Sequence, residues 1–296
     1  MTKEKIENAF KAIQDSICRD LSTVDGSDFR EDLWTRPGGG GGRTRVINGN
    51  HIEKGGVNFS SVNGETPSKI LKALDLEKAK FYATGVSIVL HPKNPLVPII
   101  HMNIRYFEMD NGIWWFGGGI DLTPHIINKK QAQFFHQQLK KTCDDSDPEF
   151  YNKFKKWADD YFFIPHRKET RGVGGIFFDR LNETNCSLNK NQIFEFVTKV
   201  GNTFAPTYLN ILDKNKDMTF NERQKNWQYI RRGRYAEFNL VYDKGTKFGL
   251  ETDGRIESIL MSMPPQANWT YDYQKDEIEQ ETLDLLRKNI DWINIC

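Results

Sequence analysis

The chain has 296 residues, enough for one large domain or two modest ones with a sizeable core. Hydrophobic residues make up 38% and charged residues 27%, which excludes a disordered or collagen-like chain. With 41 Lys+Arg against 40 Asp+Glu the formal charge is +1, so nothing draws the whole chain to nucleic acid or an acidic membrane.

The first periodic segment is Ile6, Phe10, Ile13, Ile17 and Leu21, which predicts an opening amphipathic helix. Residues 1–25 mix acids with bases and lack an apolar core, unlike a secretory or transit peptide, and a cytoplasmic protein is expected. No stretch approaches 18 apolar residues, so no membrane span is predicted. The glycine run 38–42, between Trp34-Thr35-Arg36-Pro37 and Arg43-Thr44-Arg45, reads as a loose link or an anion cradle, with both arginines suited to carboxylate or phosphate. It lacks a P-loop ending. Residues 80–90 and 97–107 read as strands, and Asp110-Asn111-Gly112 as a hairpin turn into 113–116. Helices are predicted at about 129–142, 148–162, 191–212 and 221–231. A second hairpin-rich block follows at 234–263, and a last helix at 276–289. Strands grouped in hairpins favour a single α+β domain over residues 1–296, an antiparallel sheet covered by helices.

In the strand His101-Met102-Asn103-Ile104-Arg105-Tyr106, alternation places His101, Asn103 and Arg105 on one face. That row resembles an anion-reading surface, although a solvated sheet face shows the same period. Ser87 and His91 share a face of the preceding strand, and the chain returns from there beside His101. With His136 and His166 these histidines are candidate metal ligands, yet no HxH or HExxH spacing links them, and ordinary hydrogen-bonded histidines stay open. Residues 117–119 are glycines, leaving peptide edges bare before Asp121, a candidate acceptor of N–H donors or a turn cap. The four cysteines are scattered without CxxC spacing, which argues against zinc ribbons and Fe–S loops. The 20 Phe, 10 Tyr and 7 Trp suit a thick core or a pocket for a flat ligand. A flat apolar molecule ringed with carboxylates would satisfy arginines set beside glycines and aromatic strands.

Ordered blocks along nearly the whole chain resemble the oxygen-dependent coproporphyrinogen III oxidases. They include Trp34-x-Arg36, Glu53-Lys54-Gly55-Gly56-Val57-Asn58-Phe59-Ser60, Ala83-Thr84-Gly85-Val86-Ser87, His101-Met102-Asn103, Ile164-Pro165-His166-Arg167, Arg232-Gly233-Arg234-Tyr235, and the segments 114–124, 171–179 and 245–264. The resemblance implies a large flat antiparallel sheet flanked by helices on both faces and a homodimer joined around residues 235–263. It also implies conversion of coproporphyrinogen III to protoporphyrinogen IX, with two propionates becoming vinyl groups, O2 as co-substrate and no organic cofactor. CO2 and H2O2 are the by-products. Carried over, His101 is the proton donor, with Arg105 and Asp121 beside it in the catalytic set. Ser87, Asn103, Ile104, Arg105, Asp253, Gly254 and Arg255 contact substrate. His91, His101, His136 and His166 match positions assigned to a divalent metal in bacterial members. Lys244 and Asp253 depart from residues common in the family.

On that basis Arg105 and Arg255 are expected to clamp carboxylates as forks, Asp121 to accept pyrrole N–H bonds, and His101 to move protons as imidazoles do near neutral pH. Two other functions use the same features: a non-catalytic tetrapyrrole carrier, and a metal-dependent oxygenase built on the histidines.

Overall fold

The computed structural model describes residues 1–66, 71, 77–251 and 254–295. Helix α1 (Lys3–Asp25) starts where the Thr2 side chain accepts from the Lys5 N–H, and ends at Gly26 in the left-handed conformation (φ 75). Its apolar stripe, Ile6, Phe10, Ile13, Ile17 and Leu21, is buried as the period predicts. The strands are β1 (Arg30–Thr35), β2 (Gly40–Ile47), β3 (Ile52–Glu65), β4 (Lys80–Pro92), β5 (Ile99–Met109), β6 (Trp114–Thr123), the short pair β7 (Phe163–Ile164) and β8 (Glu169–Thr170), and β9 (Gly174–Leu181). Among the described residues, seven of them form one antiparallel sheet in the order β1-β2-β3-β4-β5-β6-β9.

Alternation gives that sheet two unlike faces. On one, Val86, Ile88 and Leu90 of β4, Ile100, Met102 and Ile104 of β5, and Ile120 and Leu122 of β6 are fully buried in a single core cluster. Helices α1 and α4 (Lys190–Asn215) cover this face, with α2 (Lys129–Asp144) packed on α4. Each such side chain contributes roughly 1.5–3 kcal/mol by leaving water. Truncating Ile104 to Ala is expected to cost about 2–5 kcal/mol. Helix α3 (Phe150–Tyr161) packs along β9, covering the edge of the sheet. On the opposite face, α5 (Glu222–Val241) sets Tyr235 against Val89 and Ile99, and the residue after α7 (Ile256–Leu260), Met261, sits over Gly56. The expectation of an antiparallel sheet flanked by helices therefore agrees with the structure.

Three segments differ from expectation. Gly40, Gly41 and Gly42 are no loose link: they belong to β2, all three pair with β3, and Gly41 and Gly42 also pair with β1. The glycines 117–119 likewise lie inside β6, opposite Arg105, Ile104 and Asn103. Glycine carries no hydrophobic alternation, so these strands were silent to a period-2 reading. The described residues of the block 234–263 form helices joined by turns, with no strand among them. Helix α5 begins in a capping box between Asn221 and Gln224 and runs ten residues past the expected end, because Trp227, Arg231, Tyr235 and Phe238 recur at helical spacing on its buried side. Asp243 then accepts from the Thr246 N–H and opens α6 (Lys244–Glu251), so its turn signal marks a helix cap. The last helix, α8, spans Glu277–Leu285. No described helix is long and apolar enough to cross a membrane.

Candidate active site

The open face of the sheet can be read in rows from its register. One row runs Thr44, Asn58, Ser87, Asn103 and Gly119; the next runs Gly42, Ser60, Gly85, Arg105 and Gly117; a third runs Gly56, Val89, His101, Asp121 and Gly175. Six of these fifteen positions are glycines and Thr44, Asn58, Ser60, Ser87 and Asn103 are short and polar, so the floor is low and rich in bare peptide. His101, Asn103, Arg105 and Ser87 all share this face and are partly exposed, as alternation predicts.

Asp121 anchors the third row. It is 1% exposed, and both of its carboxylate oxygens accept from Nη2 of Arg171 at 2.7 Å. Arg171 is equally buried; it donates to Asn239 at 2.7 Å and lies 4.3–4.8 Å from the ring centroids of Phe162, Tyr235 and Phe238. Burial works against the charge of Asp121, but Arg171 and His101 outweigh it, so the carboxyl is held below its usual range. Nδ1 of His101 meets Oδ1 of Asp121 at 2.7 Å. A carboxylate can only accept, so Nδ1 carries the hydrogen and Nε2 is the ring nitrogen left for other chemistry.

Asp121 is sealed beneath His101 and Arg171, so its oxygens are not presented to a pyrrole on the open face. Its contacts are with His101 and Arg171.

Four residues along β5, or about 13 Å, Arg105 is the next charged group. It is held by Asn103 Oδ1 and Asp179 Oδ1, each at 2.7 Å, and its side chain is 36% exposed. At the other end of the face Arg255 pairs with Asp32 and donates to Ser258 at 3.1 Å. Beside it opens a cleft of about 670 Å³ lined by Asp32, Thr44, Lys54, Arg255 and Met261 among others. Gly254 donates to Gly249 O at 2.9 Å, while Asp253 lies outside the described residues. Ile104 is fully buried on the core face, so the contact expected of it is not made by its side chain.

The four histidines are not brought together. His91 is fully buried with Nε2 at 2.8 Å from Ser262 O, and burial pushes its pKa down to about 3. His136 sits between Tyr151 Oη and Val173 O at 3.0 and 2.9 Å, also pushed down to about 3 by burial. His166 bridges Tyr242 and Glu237 at 2.7 and 2.8 Å. Among the described residues no three His, Cys, Asp or Glu side chains are placed to share a metal ion. The donor set does not fit the expected site, because each ring is already committed to a separate protein partner.

Other cations are committed as well. Arg43 and Arg45 pair with Asp15 and Glu31 rather than facing the floor. Arg231, Arg232 and Arg234 pair with Glu169, Glu53 and Glu237. Sequence reasoning missed Asp32, Ser258 and Asp179 as members of the site. For Asp179 a signal existed: Gly175, Phe177 and Asp179 alternate onto the open face of β9.

Residues 5–292 match the family described as coproporphyrinogen III oxidase. Coproporphyrinogen-III oxidase 1, chloroplastic, of Arabidopsis thaliana is 47% identical, covering 98% of this chain and 79% of that protein. The oxygen-dependent coproporphyrinogen-III oxidase, chloroplastic, of Glycine max is 46% identical over 98% of this chain and 80% of its own. The oxygen-dependent coproporphyrinogen-III oxidase of Prochlorococcus marinus is 43% identical over 98% and 92%.

Proposed function

Because this chain belongs to the coproporphyrinogen III oxidase family, we propose that it catalyses the aerobic oxidative decarboxylation of coproporphyrinogen III to protoporphyrinogen IX. Each of two propionates becomes a vinyl group. The carbon next to the pyrrole gives up a hydride equivalent, the carboxylate leaves as CO2, and O2 takes the hydride and one proton to become H2O2.

The observation that carries this reading is the buried Arg171–Asp121 pair gripping His101 at the edge of a flat glycine floor that also presents Arg105. His101 supplies the proton from Nε2–H of its doubly protonated ring, while Nδ1–H stays on Asp121. Asp121 and Arg171 are positioning residues, fixing the ring so that its free nitrogen faces the reacting side arm. Arg105 and Arg255 hold carboxylates as forks, and Ser87 and Asn103 add neutral polar contacts. The bare peptide edges of the glycines let the macrocycle lie close to the sheet.

The protein acts as a homodimer in this proposal. Leu240, Val241, Leu250 and Ile256, in the region expected to join two copies, are 43–59% exposed, and a second copy would cover them. The test of the reaction is incubation of the purified chain with coproporphyrinogen III in air and under argon. Vinyl products that form only in air support the proposal. Binding without conversion in air assigns the protein to the carriers instead.

A further inference from the structure

A site for a tetra-anion is an unfavourable place for a free carboxylate. The sheet nevertheless puts three aspartates among the strand residues of its open face: Asp32, Asp121 and Asp179. Asp32 is tied to Arg255, and Asp121 is buried under Arg171 and His101. Asp179 differs. Oδ1 accepts from Arg105 at 2.7 Å, the side chain is 36% exposed, and Oδ2 has no partner among the described residues. Gly117 lies beneath the pair: a Cβ there would come within 2.8 Å of both Arg105 Nε and Asp179 Oδ1. The absence of a side chain at 117 therefore keeps this carboxylate and guanidinium together at the floor.

Coproporphyrinogen brings four carboxylates, which repel Asp179, and four pyrrole N–H groups, which are its only N–H donors. Only the second kind of group gains from a carboxylate on the floor. We propose that Asp179 is a substrate-binding residue whose Oδ2 accepts pyrrole N–H hydrogen bonds from the tetrapyrrole, while Oδ1 keeps the Arg105 fork turned toward a propionate. This rests on the functional reading above and adds a recognition element to it. The site then distinguishes a reduced macrocycle with four N–H donors from a tetracarboxylate of similar outline without them.

The experiment compares two probes on wild type and Asp179→Asn: coproporphyrinogen III under argon, and zinc coproporphyrin III, which has the same four carboxylates and no N–H. Binding is followed by tryptophan quenching, with thermal unfolding to confirm that the variant is folded. The Kd for coproporphyrinogen is expected to rise at least tenfold in Asp179→Asn. The Kd for zinc coproporphyrin should change less than twofold or fall, because an anion has been removed. A parallel weakening of both probes assigns Asp179 to steadying Arg105 alone and overturns the inference, as does no change in either. If wild type binds neither probe, the functional reading fails and takes this inference with it.

Discussion

Replacing Arg171 by Met keeps much of the stem volume and removes the charge. Asp121, 1% exposed, then keeps only His101 as a hydrogen-bonding partner of those described, and a buried carboxylate stripped of its cation costs about 3–5 kcal/mol. Asp121→Asn leaves Arg171 caged by Phe162, Tyr235 and Phe238 with Asn239 and a neutral amide, at a similar cost. At roughly 2–4 °C per kcal/mol, either variant is expected to melt about 6–20 °C below wild type. The double variant buries no unpaired charge, so it should be more stable than the sum of the single losses by at least about 2 kcal/mol. Urea unfolding followed by circular dichroism measures all four corners of the cycle. Turnover should fall in both single variants and stay low in the double, because Asp121→Asn replaces the carboxylate that holds His101 and Arg171→Met removes the cation that holds that carboxylate. Additivity within about 0.5 kcal/mol would refute the reasoning, since the two groups would then be acting independently.

Three further outcomes are expected. Stability should fall as pH drops below about 6.5, because His91 and His136 are kept neutral by burial in the folded state and protonate freely when unfolded. With folded values of about 3 each contributes a loss of roughly 2 kcal/mol at pH 5, read from urea midpoints between pH 7.5 and 5; a flat profile contradicts this. Gly117→Ala should lower kcat/KM at least tenfold while shifting Tm by less than about 3 °C, since its Cβ meets only the ends of the Arg105 and Asp179 side chains. Ile256→Glu combined with Leu250→Glu should convert a dimer to monomers in light scattering at micromolar concentration; an unchanged mass places the interface elsewhere.

The polar row on β5 was legible because alternation is a property of the strand itself: His101, Asn103 and Arg105 needed no tertiary information to share a face. The partners of that row were not. Arg171 lies in the approach to β9 and reaches Asp121 across 50 positions, a pairing that only the sheet order β5-β6-β9 creates. The misplaced histidines show the opposite case. His136 falls among Ala132, Phe135, Leu139 and Cys143 on the buried side of α2, a helical spacing that marks it as core. The 234–263 block was misread because Asp-Lys-Gly and Asp-Gly signal turns equally well between strands and between helices. There the capping box at Asn221 and the spacing of Trp227, Tyr235 and Phe238 were the deciding clues.

The most direct test of the whole account is stoichiometry. With purified protein and coproporphyrinogen III in a sealed oxygen-electrode cell, one O2 should be consumed and one CO2 and one H2O2 released for each propionate converted to vinyl. His101→Ala should cut the rate by about 100-fold or more. Vinyl formation without oxygen uptake, or an unchanged rate in His101→Ala, would contradict the central claim that a gripped imidazole on a glycine floor delivers the proton dioxygen requires.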